Sequence, residues 1–242
     1  MSIASRFDQV RERIARAAAR ADRDPAAITL VAVTKTHPPE VIAEAIAAGA
    51  RDLGENRVQE AALKIPPLAA AYPDARWHLI GHLQRNKAKS AIELFDMIHS
   101  IDGLRLAETL NRLLEERAAA RLPVLLQVNV SGEASKEGFD LPGGIANRAG
   151  LEALLPEVER ILALPCLEVR GLMTIAPIVA DPEQARPVFR ALRELRDELA
   201  RRFPQTAWAE LSMGMTDDFE AAIAEGATIV RVGRAIFGER VG

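Results

Sequence analysis

The sequence predicts an α/β protein built as one (β/α)8 TIM barrel, and three observations support this fold class. Short apolar runs alternate with segments of helical periodicity, which is typical of a parallel sheet. Eight strand segments can be distinguished, and each of the first seven is followed by a helix. The length of 242 residues suits a single barrel, which typically has about 250 residues. We therefore expect residues 1–242 to form one domain.

The strands and helices are predicted from their periodicity and their boundary residues. The strands are short runs rich in apolar and β-branched residues: 28–33, 52–54, 77–80, 97–101, 124–130, 169–174, 209–212 and 228–233. The helices between them carry apolar residues at helical spacing: 38–49, 57–64, 86–95, 104–120, 151–164, 188–199 and 218–225. We expect Pro66-Pro67 to end the second of these helices, because proline removes a backbone donor.

Two further segments lie outside this alternation. Ile3, Phe7, Val10 and Ile14 recur at helical spacing before the first strand, so an extra N-terminal helix is expected to cover the barrel where an eighth helix is missing. The stretch 131–150 is irregular and is a candidate mobile loop on the C-terminal face. An open doubly wound sheet is the alternative fold, but no Gly-rich turn follows the first strand.

Composition excludes several functional classes. Apolar residues make up 49% and charged residues 27% of the chain, and the net charge is -3, without the basic excess of a nucleic-acid-binding protein. The single cysteine excludes a disulfide framework or a Cys-rich zinc site. No apolar run reaches the roughly 18 residues of a membrane span, and the N-terminus lacks the apolar region of a signal peptide. We expect a cytoplasmic protein that binds neither nucleic acid nor membrane.

Lys35 is the first candidate functional residue, because it follows the first strand at the face where barrels carry their chemistry. Period two places Val31, Val33 and Lys35 on one face. If the valines fill the barrel, the lysine points into its mouth. Desolvation there disfavours the ammonium, and a neutral amine is what Schiff-base chemistry requires.

A second group of residues follows the seventh and eighth strands. Ser212 and Gly214 lie in a turn of small residues, and Arg231 and Gly233 end the last strand. Barrels often bind phosphate at these two loops, which neighbour the first strand when the barrel closes. A lysine beside a phosphate site predicts pyridoxal 5'-phosphate, or a phosphorylated sugar in a class I aldolase.

Several motifs, in order along nearly the whole chain, resemble the YggS/PROSC family, the pyridoxal phosphate homeostasis proteins. They begin with Val-Ala-Val-Thr-Lys, end with Val-Arg-Val-Gly-Arg-Ala-Ile-Phe-Gly, and are listed here by position: 31–35, 54–60, 77–87, 171–174, 212–215 and 230–238. Thr34 and Thr216 replace serines that are common in the family, and both keep a hydroxyl.

This resemblance implies an alanine-racemase-like barrel of fold type III, which binds pyridoxal 5'-phosphate as a Schiff base on Lys35. It implies phosphate contacts from Ser212, the Met213-Gly214-Met215 backbone, Arg231 and Gly233. Asn56, His78 and Met173 would line the pocket. The resemblance also implies a protein that buffers the cofactor for intracellular homeostasis, with no established reaction and hence no catalytic residue.

Residues outside the motifs also favour a carrier over an enzyme. A fold-type-III racemase adds a C-terminal β-domain and takes a second acid/base, a tyrosine, from its partner subunit. This chain ends eight residues after Arg234, so we expect no such domain. Tyr72 is its single tyrosine, and it precedes the third strand, on the face opposite Lys35. A racemase-like enzyme acting on amino acids remains the alternative.

Partners and metals are less defined by the sequence. We expect a monomer that delivers the cofactor to client enzymes that use it. No metal is expected, because the four histidines lack the spacing of a metal-binding motif. Arg231 and Arg234 both lie near the predicted pocket, and which of them faces the pyridine nitrogen and which the phosphate is left open.

Overall fold

A computed structural model describes residues 1–118 and 120–238, and in these residues eight parallel strands close into a barrel. A ninth, two-residue strand, β6, pairs outside the barrel with β5. The strands are β1 (Thr29–Val33), β2 (Asp52–Glu55), β3 (Arg76–Leu79), β4 (Met97–Ile101), β5 (Leu122–Asn129), β6 (Phe139–Asp140), β7 (Leu167–Met173), β8 (Glu210–Ser212) and β9 (Ile229–Val232).

Helices α2 to α8 lie between successive barrel strands, α1 precedes the first strand and α9 follows the last one. They are α1 (Ile3–Arg20), α2 (Pro39–Ala47), α3 (Val58–Ala71), α4 (Ala88–Leu94), α5 (Leu104–Glu115), α6 (Arg148–Leu162), α7 (Arg186–Arg202), α8 (Phe219–Ala224) and α9 (Arg234–Phe237). The last of these, a single turn after β9, was not predicted from the sequence.

The predicted barrel is confirmed, and the open-sheet alternative is excluded. Neighbouring strands pair around the ring in the order β1-β2-β3-β4-β5-β7-β8-β9. The ring closes because β1 pairs with β9, with Val31 opposite Arg231 in the register. The carboxyl ends of the first and last barrel strands therefore lie side by side. Within the described ranges the chain forms no β-domain besides this barrel.

Apolar residues form two separate layers. The larger layer lies between the strands and the surrounding helices and includes Ala32, Leu53 and Trp77. The smaller layer comes from inward-facing positions of five strands: Val31, Met97, Leu125, Met173 and Ile229. Val31 thus lies inside the barrel, as the alternation of β1 predicts. Polar side chains fill the rest of the interior, and they are described with the site.

The N-terminal helix α1 takes the place of the eighth outer helix, as predicted. It packs against α8 and α9 on one side and α2 on the other. Its buried residues include Phe7, Val10 and Ile14. The Arg6 guanidinium donates to the carbonyl of Ile236 at 2.6 Å, so the first helix is tied directly to the last one.

Pro66-Pro67 do not end a helix, and this prediction was wrong. Both prolines lie inside α3, which continues to Ala71. The carbonyls that lose their helical partners belong to Ala62 and Leu63, and these residues are exposed to water, which satisfies them. The buried face of α3, which includes Ile65 and Leu68, holds the helix against the barrel.

Three other boundaries differ from prediction. The helix predicted over 104–120 ends at Glu115. Asn86 does not cap α4, because it lies in the 3-10 turn Arg85–Lys87 before it. The stretch 131–150 is less irregular than expected, since it contains β6, a 3-10 turn and the start of α6. In the described residues, no helix is both long and apolar enough to cross a membrane.

Candidate functional site

Lys35 lies in the turn that directly follows β1, and its side chain is half-buried. The preceding residue, Thr34, is fully buried, and its N–H donates to the Gly54 carbonyl at 2.9 Å. The following residue, Thr36, has a left-handed backbone with φ of 68°, which costs free energy for a β-branched residue. The turn is thus anchored on one side of Lys35 and strained on the other.

A buried cluster of charged side chains supports this turn from below. The Thr34 hydroxyl donates to Glu55 Oε1 at 2.6 Å, and Lys64 Nζ donates to the same oxygen at 2.9 Å. Lys64 also pairs with Glu60, which accepts the Thr36 N–H. Burial raises the pKa of Glu55 above its ordinary value, although the hydrogen bonds from Thr34 and Lys64 oppose this. These contacts fix the backbone on both sides of Lys35.

The turn after β8 carries Met213, Gly214 and Met215, which were predicted to bind phosphate. Gly214 has φ of 91°, and a Cβ there would lie 2.6 Å from the Ala222 Cβ, so only glycine fits. The Met213 N–H donates to Ile229, and the Met215 N–H donates to the Asp218 carboxylate at 2.6 Å. In the described part of the chain the Gly214 N–H has no hydrogen-bond partner.

Arg231 points into the barrel from β9 and is 4% exposed. It donates to Ser212 Oγ at 2.6 Å and to the Thr174 carbonyl at 2.9 Å. Among the residues described, no carboxylate lies within 4.0 Å of its guanidinium, and the charge of Asp218 acts only from farther away. Burial lowers the pKa of Arg231 to about 10, so it stays protonated at neutral pH. A buried, unpaired cation suits an anionic ligand.

The ambiguity between the two arginines is reduced by their positions. Arg231 is interior, whereas Arg234 is exposed and forms an ion pair with Asp217 at the surface. Gly233, between them, is half-buried, and a Cβ there would lie 3.4 Å from the Val33 Cβ. The end of β9 is therefore packed directly against the strand that carries Lys35.

His78 lies inside the barrel and belongs to a chain of polar side chains. Its Nε2 is 2.9 Å from Asp52 Oδ1, and its Nδ1 is 3.0 Å from His99 Nε2. His99 Nδ1 is 2.9 Å from Ser212 Oγ, which in turn accepts from Arg231. Burial, with His78 and Arg231 nearby, holds the pKa of His99 well below its ordinary value. His99 is therefore neutral.

Asp52, at one end of these hydrogen-bonded side chains, is an ionised carboxylate. Burial raises the pKa of Asp52, but the hydrogen bonds from His78 and Arg76 outweigh it, and the pKa lies below its ordinary value. Arg76 Nη2 is 2.7 Å from Asp52 Oδ2. The Arg76 side chain is largely exposed at the amino-terminal face of the barrel, opposite the face of Lys35. The chain thus spans the interior from one face towards the other.

The other two predicted pocket residues lie at the same end of the barrel. Met173, the last residue of β7, is fully buried in the interior apolar layer. Asn56 follows β2, and its Oδ1 is buried without a partner among the described residues. Gly81 packs against it, since a Cβ at Gly81 would lie 2.4 Å from the Asn56 carbonyl oxygen. An orphaned acceptor of this kind is one that a ligand can satisfy.

Sequence reasoning did not find several of these polar residues: Asp52, Glu55, Lys64, His99 and Thr174. A signal existed for two of them. Asp52 precedes the outward-facing Leu53, and His99 follows the outward-facing Ile98. The same period that placed Val31 inside the barrel therefore places both of them there. Lys64 carried no such signal, because a lysine on a helix is ordinarily exposed.

One further cluster lies among the loops on this face. His82, Asp102 and Glu137 bring three ligand atoms within 4.8 Å of one another, although the sequence predicted no metal. His82 Nδ1 is 2.9 Å from Asp102 Oδ2. Two of the three residues are exposed, and the expectation that the protein holds no metal remains untested.

The fold and this site define the class of the protein. The family described as alanine racemase, N-terminal domain, matches residues 6–241. The chain is similar to an alanine racemase of Clostridium difficile 630 at 14% identity and a TM-score of 0.69, which covers 96% of this chain and 60% of the other. At that identity the likeness shows the shared fold alone.

Nearer relatives narrow the class. The chain is 44% identical over 240 residues to a protein of Aquifex aeolicus named pyridoxal phosphate homeostasis protein, which covers 99% of both chains. It is 40% identical to PipY of Synechococcus elongatus PCC7942, whose structure was solved with PLP bound, at a TM-score of 0.81 over 98% of this chain and 100% of the other. The chain belongs to the family of the pyridoxal phosphate homeostasis proteins, as its motifs predicted.

Proposed function

We propose that this protein binds pyridoxal 5'-phosphate covalently on Lys35 and serves as its carrier in cofactor homeostasis. One observation carries the proposal. Lys35 follows β1 on the face where the ends of β8 and β9 hold the buried, unpaired Arg231. An amine and a buried cation on neighbouring strands support an aldehyde that carries a phosphate as the ligand. PipY, a relative solved with PLP bound, supports the choice of ligand.

The residues present fit this cofactor. The bound group supplies two functional groups. One is an aldehyde, which condenses with an amine, and the other is a phosphate, which carries two negative charges. Arg231 offers a buried positive charge, Gly214 offers a backbone N–H where a side chain has no room, and Asn56 offers an unpartnered buried oxygen. Within the described residues, Arg231 has no carboxylate in contact, and the Gly214 N–H and the Asn56 oxygen have no hydrogen-bond partner.

We assign the ten predicted residues to three tasks. Lys35 is the point of attachment, and the phosphate contacts come from the turn after β8 and from the end of β9. The remaining residues of this set form the inner wall and floor of the pocket. The full set is Lys35, Asn56, His78, Met173, Ser212, Met213, Gly214, Met215, Arg231 and Gly233.

The position of Tyr72 favours a carrier over a racemase-like enzyme. A two-base racemase needs a second acid/base across the cofactor from the lysine. Tyr72 directly follows α3 and precedes β3, so it lies at the amino-terminal face, opposite Lys35. Among the described residues no other tyrosine exists to replace it. We therefore propose a protein that exchanges its cofactor with client enzymes and acts as a monomer.

Attachment is tested by reduction and peptide mapping. The purified protein should be yellow, and borohydride should bleach it and leave a pyridoxyl group on Lys35. Lys35→Ala should be colourless, whereas Lys89→Ala, an exposed lysine on α4, should be coloured like the unchanged protein. A coloured Lys35→Ala protein would reassign the attachment site.

Carrier and enzyme are separated by two assays on the loaded protein. Mixed with a cofactor-free enzyme that uses pyridoxal 5'-phosphate, it should restore that enzyme's activity. Screened against single amino acids in deuterated water, it should exchange no α-proton faster than the free cofactor does. Rapid exchange with one amino acid would replace the carrier assignment with the racemase-like alternative. Sedimentation of the loaded protein decides whether it is a monomer.

A further inference from the structure

The hydrogen-bonded side chains inside the barrel have one polar hydrogen for each contact between them. Its four contacts join Asp52 to His78, His78 to His99, His99 to Ser212, and Ser212 to Arg231, at 2.9, 3.0, 2.9 and 2.6 Å. One ring hydrogen on each histidine, one hydroxyl hydrogen on the serine and one N–H of the arginine, which can only donate, give this count. Four hydrogens are therefore available for four contacts.

The two ends of the chain fix its direction. Arg231 has no acceptor atom, so Ser212 must accept at that end. Asp52 is ionised, because its pKa lies below the ordinary value, and an ionised carboxylate only accepts. His78 must therefore donate from Nε2. Between these ends each group has one arrangement that leaves no contact without a hydrogen.

The tautomers and the serine hydroxyl follow in sequence. Because His78 donates from Nε2, its Nδ1 is an acceptor, so His99 must donate from Nε2. The neutral His99 then accepts at Nδ1, and the hydrogen that it accepts is the hydroxyl hydrogen of Ser212. An additional proton on either ring would make His99 donate from Nδ1. It would thereby leave the hydroxyl hydrogen of the fully buried Ser212 without an acceptor among these groups, which is costly.

We propose that Asp52, His78, His99 and Ser212 form one oriented hydrogen-bond chain that positions Arg231, and that the Ser212 hydroxyl is committed to His99. Ser212 then acts through Arg231 and donates no hydrogen bond to a phosphate. This refines the sequence-based expectation of a phosphate contact from Ser212. The proposal rests on the proposed function only where a ligand is concerned, since the hydrogen-bond chain forms in the protein without a ligand.

The charged and titratable groups around the histidines are consistent with this orientation. Asp52 faces His78 from β2, Arg76 shares that carboxylate from β3, and Arg231 faces His99 from β9. The negative charge lies at the receiving end of the chain and the positive charge at its donating end. Every hydrogen bond therefore points from Arg231 towards Asp52.

The first test uses the protein without cofactor and reads the ring nitrogens directly. Long-range nitrogen–proton NMR of uniformly 15N-labelled protein at neutral pH should show His99 protonated at Nε2 and unprotonated at Nδ1. His78 should show the same tautomer. His99 protonated at Nδ1, or at both nitrogens, would overturn the proposal. Ser212→Ala should remove the constraint on His99 and change its nitrogen shifts.

A matched control is available in β4, the strand that also carries His99. Ser100 is also fully buried, and its hydroxyl donates to the Gly81 carbonyl at 2.7 Å, outside the chain. Ser100→Ala should leave the His99 shifts as they are. An equal change in both variants would mean that the spectrum reports general loosening of the barrel, and the proposed chain would lose its support.

The second test compares binding of pyridoxal 5'-phosphate by Arg231→Ala and by the double variant Arg231→Ala/Ser212→Ala, in an absorbance titration. Because Ser212 acts through Arg231, its removal should weaken binding no further once Arg231 is absent. A hydrogen bond of its own to the phosphate would cost the double variant a further 10- to 100-fold, roughly, and that result would overturn the proposal. If the unchanged protein does not bind the aldehyde, the proposed function fails, while the ring-nitrogen spectrum still decides the orientation of the hydrogen-bond chain.

Discussion

The Nζ atom of Lys64 lies 2.9 Å from Oε1 of Glu55, and both side chains are buried beneath the turn that carries Lys35. Lys64 also donates to the carbonyl of Thr34 at 3.1 Å. A residue of helix α3 thus holds the backbone at the end of strand β1. Since the turn includes the left-handed Thr36, these contacts keep a strained segment in place.

Removal of the ammonium of Lys64 is expected to destabilise the protein strongly. Lys64→Met leaves the buried Glu55 carboxylate without its cation, which costs about 3–5 kcal/mol when one partner of a buried pair is lost. Urea denaturation measures this free energy of unfolding. The double variant Lys64→Met/Glu55→Gln should recover part of the loss. Lys89→Met on an exposed position of α4 is the control and should change stability little.

Gly214→Ala should be destabilising because of both backbone and space. The residue has φ of 91°, and the added Cβ would lie 2.6 Å from the Ala222 Cβ and 2.9 Å from the Phe219 Cα. Strain and overpacking together cost about 2–5 kcal/mol. Gly103→Ala is the control, since its φ is extended and nothing lies within 4 Å of the added atom. The melting temperature should be lowered in Gly214→Ala alone, and equal melting temperatures for the two variants would refute this prediction.

Asp52 is expected to make stability depend on pH in the acid range. Burial raises its pKa, but the hydrogen bonds from His78 and Arg76 lower it further, so the folded value lies below the unfolded one. Its stabilisation is therefore complete above the unfolded pKa of about 4, and it is lost as the pH falls through the folded value. Asp52→Asn should be less stable than the unchanged protein at pH 7, and the gap should narrow below about pH 4. A gap that is constant with pH would contradict the ionised state of Asp52.

Arg231→Ala should weaken retention of pyridoxal 5'-phosphate by about 1.5–3 kcal/mol, the range for a hydrogen bond to a charged group. The reason is that a buried guanidinium with no carboxylate in contact is removed. Equilibrium dialysis measures the retention. Arg234→Ala removes an exposed guanidinium paired with Asp217 and should have a smaller effect. Equal losses in the two variants would mean that general positive charge, and not the interior position, retains the ligand.

The barrel itself could be predicted from the sequence because each strand is a short apolar run with a fixed period. Val31 inside and Ala32 outside follow from alternation alone. Lys35 and Arg231 were then assigned to adjacent strand ends by closing the ring, and the pairing of β1 with β9 confirms that adjacency. Fold and placement thus follow from local pattern plus one topological rule.

The contacts of the site could not be predicted in the same way. Pro66-Pro67 indicate a helix end, but burial of the opposite face of α3 outweighs two lost hydrogen bonds. Lys64 and Glu55 come together because α3 packs back on its own strand, and no pattern in either segment shows this. The partners of His99 lie on β3 and β8, so they are known only once the strands are placed in three dimensions.

The position of α1 has a consequence for how the chain is made. This helix is translated before the barrel strands, yet its apolar face packs against α8 and α9. These helices follow it by about two hundred residues, and the Arg6–Ile236 contact joins positions 230 residues apart. Until then Phe7 and Val10 lack their final neighbours. Exposed apolar surface makes unfinished chains prone to aggregate, and this surface of α1 is covered only once the chain has been made through α9.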